Sequence, residues 1–117
     1  MTRNRRRLLL LAVGLTIASA LSLALLVEVY VWRPWRNLHD LDYTQTATQE
    51  ELRNTAHGVL AMPFGGDHDA CLLLISVGNR DSVPYLERAI KRNEVAGGAH
   101  ECTYSHCVEA LTTSRTR

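Results

Sequence analysis

Little in this chain of 117 residues is suited to catalysis. Ser82 and Ser105 lie in no Gly-x-Ser-x-Gly elbow, and Gly65-Gly66 is not followed by the Gly-Lys-Ser/Thr of a phosphate-cradling loop. The serines therefore read as helix-start residues and the glycines as a turn. His39, His57 and His68 are isolated. General acid–base catalysis needs a positioned partner that the sequence does not reveal, so each reads as a structural histidine. No enzyme activity, catalytic residue or cofactor is expected.

Clustered positive charge is missing from most of the chain as well. The 13 Lys and Arg and 12 Asp and Glu give a net charge of +1, but Arg3, Arg5, Arg6 and Arg7 all precede Leu8. With these and Glu28 set aside, the part from Arg33 onward carries 9 basic and 11 acidic residues, so it is slightly acidic. Phosphate neutralisation needs Lys and Arg gathered on one face, and nucleic acid is not an expected partner.

Between Leu8 and Val27 charge is absent altogether. At about 1.5 Å per residue this run alone covers roughly the 30 Å hydrocarbon core of a bilayer. Thr16, Ser19 and Ser22 are small hydroxyls that can bond back to the preceding turn, so they are compatible with a span. Tyr30, Trp32 and Trp35 gather beyond it, where amphipathic rings settle at headgroup level, and the span is expected to end near Trp32. Four arginines and the amino terminus precede the run, against Arg33 and Arg36 after it. The positive-inside rule then puts the N-terminus in the cytoplasm and the rest outside it, a single pass through the inner membrane with the bilayer as first partner. The competing reading is secretion after signal-peptide cleavage at Ala18-Ser19-Ala20. The apolar run continues from Leu21 to Val27 past that site, longer than a signal peptide normally needs, which favours a retained anchor.

The chain thus divides into a basic cytoplasmic segment (1–7), a transmembrane signal anchor (8–32), a juxtamembrane linker (33–48) and a helical domain (49–117). In the linker Pro34 blocks simple continuation of the helix and no apolar period is sustained, which predicts loose packing. A first soluble helix is expected over 49–61, with Leu52, Ala56, Val59 and Leu60 on one face and Gly58 weakening it; Pro63, Gly65 and Gly66 then break the chain. A second begins at Asp67 or His68, buries Ala70, Cys71, Leu73, Leu74 and Val77, and stops at a left-handed Gly78 or Asn79. Asp81 or Ser82 opens a third, which tolerates Pro84 in its first turn, turns Val83, Leu86 and Ile90 inward and leaves Glu87, Arg88, Lys91 and Arg92 in water. After a break at 96–99 a last helix starts near Thr103, with Cys107, Val108, Ala110 and Leu111 inward and a fraying tail from Thr112.

These segments echo one another. Cys71-Leu72-Leu73-Leu74-Ile75 laid over Cys107-Val108-Glu109-Ala110-Leu111 gives a spacing of 36 residues with Cys on Cys and apolar on apolar at most positions. The stretch from His68 to Ile90, with an apolar helix ending in Ile75-x-x-Gly78, a polar turn and Val83-Pro84-x-Leu86 opening the next helix, resembles a HEAT repeat of the short bacterial type. The likeness covers one full repeat, with the segment from Thr103 as the first helix of a second. It implies an all-α fold, a transmembrane helix followed by a short HEAT-like α-hairpin or solenoid, and a scaffold that meets an unknown protein partner. One related group holds two irons through four His-Glu pairs. This chain offers only His100-Glu101 and His68-Asp69, 32 residues apart against a repeat of 36, so that chemistry is not implied.

The remaining cluster is His100-Glu101-Cys102-Thr103-Tyr104-Ser105-His106-Cys107. No metal is expected, although His100, Cys102, His106 and Cys107 nominally supply four zinc ligands and make a metal-binding domain or metal-dependent enzyme the alternative function. Cys107, like Cys71, falls on an apolar stripe where a small buried residue fits. Equivalent positions on neighbouring helices are expected to stand at the roughly 8 to 10 Å between packed axes, so Cys71 and Cys107 should not pair, and a bond between them would count against the repeat register. Cys102, at the end of a glycine-containing loop, is the expected partner of Cys71 if a disulfide forms in the oxidising compartment.

Overall fold

The computed structural model describes residues 2–62, 65–95 and 101–117. Every regular element among them is helical: α1 (Arg3–Val27), a π-helical stretch (Glu28–Trp32), α2 (Arg33–Leu38), α3 (Leu41–Thr46), α4 (Gln49–Ala61), α5 (Asp67–Val77), a 3-10 turn (Arg80–Ser82), α6 (Val83–Val95) and α7 (Glu101–Thr116). No residue of α1 is buried. With its continuation to Leu38 it is the one helix among the described residues long and apolar enough to cross a membrane.

The segment 33–48 differs from the expected linker. The helical path does not stop at Trp32 but passes through the π turn into α2, with Pro34 in the first turn of α2. A proline ring collides with the carbonyl four residues earlier, and the wider π turn just ahead of it relieves that collision. Asp40 then caps α3 by accepting from the amides of Asp42 and Tyr43. Leu38 is buried in the main core, and the Tyr43 hydroxyl lies 2.9 Å from Thr55 Oγ1. A few isolated side chains, invisible to periodicity, thus dock this stretch onto α4.

Thr48 and Glu51 form a reciprocal capping box at the start of α4, each side chain satisfying the other's amide. Arg53 near that start donates to the Val77 carbonyl at the end of α5 (2.8 Å), so α4 and α5 run antiparallel. Arg92 late in α6 reaches both Leu60 O and Asp67, which sets α6 antiparallel to α5 and alongside α4. Arg92 was expected in water; its guanidinium instead forms a two-pronged pair with the nearly buried Asp67 carboxylate at the first position of α5. Leu60, Leu74 and Leu86 are fully buried in one cluster, and Ala56, Ala70, Ala89 and Ala110 let the helices approach closely around them.

Helix α7 returns beside α5 and parallel to it. Cys71 and Cys107 are joined by a disulfide with Cα atoms 4.9 Å apart, and seven residues further along both helices Gly78 abuts Ser114. This overturns the expectation that Cys71 and Cys107 stay apart and that Cys71 pairs with Cys102, which is free and exposed. The reason is geometric. Cα atoms lie about 2.3 Å from each helix axis, so two that face each other stand about 4.6 Å closer than axes separated by the usual 8 to 10 Å. Facing positions on packed helices are therefore well placed to bond; the bond counts against the HEAT repeat register as expected above, and what the two contacts share is an offset of 36 residues.

Four further details differ from expectation. Gly78 ends α5 in an extended conformation (φ −65°), and the left-handed glycines are Gly65 and Gly66, ahead of α5. Asn79 rather than Asp81 starts the following turn, accepting from Asp81 N while Ser82 Oγ accepts from Asn79 N. The tail does not fray: α7 continues to Thr116, Ser114 is buried, and Arg117 donates to the carbonyls of Ser76 and Gly78. Val108, expected inward, is exposed. The expected break at Pro63 and that at 96–99 lie outside the described residues.

Candidate functional site

The parallel packing of α5 and α7 brings their first turns together, and there the chemically capable side chains meet. Cys102 and His106 are four residues apart and so share a face of α7. His68, one turn before Cys71 on α5, meets that face: its Nε2 is 3.4 Å from Cys102 Sγ, and its ring stands edge-on to His106 with centroids 4.8 Å apart. The ligand atoms of His68, Cys102 and His106 all lie within 4.8 Å of one another. His68 and His106 are half-buried and Cys102 is exposed, so the group is open to solvent.

Behind His68 runs a polar relay. His68 Nδ1 donates to Asp69 Oδ1 at 3.2 Å, and Asp69 Oδ2 is 2.8 Å from Nε2 of His39. The hydrogen bond from His68, helped by the bond and charge of His39, holds the Asp69 carboxyl below its ordinary value against an opposing push from burial. His39 in turn sits 2.8 Å from the Trp35 carbonyl and stacks on the Trp35 ring. With its Nδ1 proton directed at a carboxylate, His68 keeps the lone pair of Nε2 free to face Cys102.

Two other sites offer less chemistry. His57 is buried, lies 2.7 Å from Ser82 Oγ and stacks on Tyr85 at 4.3 Å; desolvation, then the nearby Arg53 charge, lowers its pKa against a smaller contrary effect of Asp81. This is a neutral histidine tying α4 to the turn before α6. An apolar groove of about 610 Å³ opens between the end of α1 and α4, with Val27, Val31, Trp32 and Trp35 on one wall and Val59 and Met62 on the other.

The nominal zinc ligands of the sequence fare differently from one another. Cys107 is consumed by the disulfide and cannot ligate. His100 lies outside the described residues. Cys102 and His106 do converge, but with His68, which sequence reading set aside as isolated. The missed signal was the repeat offset itself: position 68 plus 36 is Tyr104, midway between Cys102 and His106. Comparison with family models, with curated proteins and with solved structures gives no match.

Proposed function

We propose that the protein is a single-pass membrane protein whose HEAT-like helical domain stands on the extracytoplasmic face and acts by holding a protein partner there. The observation that carries this reading is a shared core: Leu38, at the end of the helical path that begins with α1, is buried in the same cluster as Leu60, Leu74 and Leu86. A domain built onto its spanning helix in this way holds whatever it binds at a fixed height above the bilayer. The side of the membrane is supported by two independent features, the arginines ahead of Leu8 and the Cys71–Cys107 bond, since disulfides persist in oxidising compartments. Parallel α5 and α7 at an offset of 36 residues, with α6 antiparallel between them in sequence, are what stacked helix pairs require.

The test has two parts. A reporter active only outside the cytoplasm, fused after Arg117, is expected to work, and the mature chain to retain Leu8 to Val27. In living cells, a photo-crosslinker at Tyr104 or Val108, both exposed on α7, is expected to give a discrete protein adduct. A silent reporter or a mature N-terminus at Leu21 overturns the topology; adducts with lipid alone overturn the scaffold. A second reading, a metal-binding domain, has the convergence of His68, Cys102 and His106 in its favour and is compatible with the first.

A further inference from the structure

We propose that His68 Nε2, Cys102 Sγ and a ring nitrogen of His106 form a binding site for one borderline-soft divalent transition cation of the zinc class, with a fourth position left to water. This goes beyond the scaffold reading and does not depend on it.

The donor set is the first argument. One thiolate and two imidazoles suit zinc-class ions, whereas magnesium and calcium prefer oxygen. Zn–S bonds of about 2.3 Å and Zn–N bonds of about 2.0 to 2.1 Å in a tetrahedron put neighbouring ligand atoms about 3.3 to 3.6 Å apart. His68 Nε2 and Cys102 Sγ already stand at 3.4 Å, and the widest separation in the group is 4.8 Å. Only His106, half-buried on an exposed rim, must turn inward by about an ångström to complete the face.

Orientation is the second argument. A metal-bound imidazole usually gives its other N–H to a carboxylate, which fixes the tautomer and raises the basicity of the ligating nitrogen. Asp69 is in that position behind His68 and is itself held by His39. The relay thus presents a lone pair where the cation would sit, at no cost in rearrangement.

Rigidity is the third. His106 immediately precedes Cys107 and His68 lies one turn before Cys71, so the disulfide fixes the relative position of the two helices beside the site. The ligands from α5 and α7 are held together before any ion arrives. On binding, the Cys102 thiol releases its proton to solvent, the three protein ligands displace water from the aqua ion, and no other covalent bond within the chain changes. Three protein ligands and an open position resemble sites that exchange a ligand or activate water more than closed structural sites.

The full chain in detergent, freed of metal by chelation and with Cys102 reduced but the disulfide intact, should be titrated with Co²⁺. One equivalent is expected to give the visible bands of a tetrahedral ion and a thiolate-to-cobalt charge-transfer band. Zn²⁺ should displace it. Cys102→Ser should abolish the charge-transfer band, and His68→Ala and His106→Ala should each weaken binding at least tenfold, while Asp69→Asn should weaken it about 10- to 100-fold with the charge-transfer band retained. A helical circular-dichroism spectrum and a cooperative thermal transition like the parent's certify the fold of each variant. In the unaltered protein, Zn²⁺ should protect Cys102 from alkylation and a chelator should restore its reactivity. Absence of stoichiometric binding, binding that all three ligand variants leave unchanged, or alkylation indifferent to Zn²⁺ overturns the site; unaltered affinity in Asp69→Asn overturns the role of the relay.

Discussion

The two ends of the α5–α7 pair are built on opposite principles. At the C-terminal end three carbonyls of α5 and the residue after it find cations: Arg53 takes Val77 O, and Arg117 takes Ser76 O and Gly78 O. Positive charge there also complements the negative end of the α5 dipole. Gly78 and Ser114 touch with no room for another atom. At the N-terminal end, only one turn from the disulfide, the helices instead turn His68, Cys102 and His106 toward each other at a solvent-open rim. The lesson is a division of labour within one interface: small residues and backbone contacts close the seam, and the side chains capable of chemistry are kept at the end where closure is incomplete.

The largest expected effect comes from removing the bond that lies between the two ends. A disulfide that closes a loop of 36 residues contributes roughly 4 kcal/mol by restricting the unfolded chain. In a domain this small that is a large share of its total stability. The double variant Cys71→Ala/Cys107→Ala avoids leaving a thiol to mispair with Cys102, and its thermal unfolding should fall steeply relative to the oxidised parent. The loss should be at least that produced by reductant, since the alanines also remove two buried sulfur atoms. An unchanged melting temperature would mean that the closed end holds the pair unaided.

How far the sequence disclosed this arrangement depends on what sort of signal each part left. Helices α4 to α7 were legible because apolar residues recur with helical period, and the all-α fold follows from them. The docking of 33–48 was not, because Leu38 and Tyr43 act singly and a proline stood in the path. The spacing of 36 residues between the cysteines was legible, yet its consequence was misjudged by treating an interaxial distance as a Cα distance. Of the group formed by His68, Cys102 and His106, the last two were visible from their proximity in sequence. His68 was not, because only the parallel approach of α5 and α7 brings it there.

A smaller effect tests the closed end directly. A Cβ added at Gly78 would run into Ser114 Oγ and the Leu74 carbonyl, although its φ of −65° suits any residue. Gly78→Ala is therefore expected to cost about 1 to 3 kcal/mol through overpacking rather than backbone strain. Ser114→Ala should recover part of that loss, since it removes one of the two collisions and also an Oγ that is buried without a hydrogen-bond partner. Chemical denaturation of the two single variants and the double variant measures the coupling. Simple additivity would mean that the seam is not tight at this point.

The smallest expected effect lies in the pH dependence of the closed end. His57 is buried against Ser82 and Tyr85, and desolvation first, then Arg53, lowers its pKa while Asp81 opposes them. Burial at this position therefore favours the neutral ring. The unfolded chain, with an ordinary histidine pKa of about 6.5, binds the proton more readily than the folded one, so stability is complete above that value and declines as the pH falls from it toward the lower folded pKa. The informative quantity is the difference between the parent and His57→Gln, which retains a polar group for Ser82. That difference should change as the pH falls through the unfolded value of about 6.5, with the parent losing more stability on acidification. Parallel curves for the two proteins would show that the histidine at the closed end carries no protonation penalty.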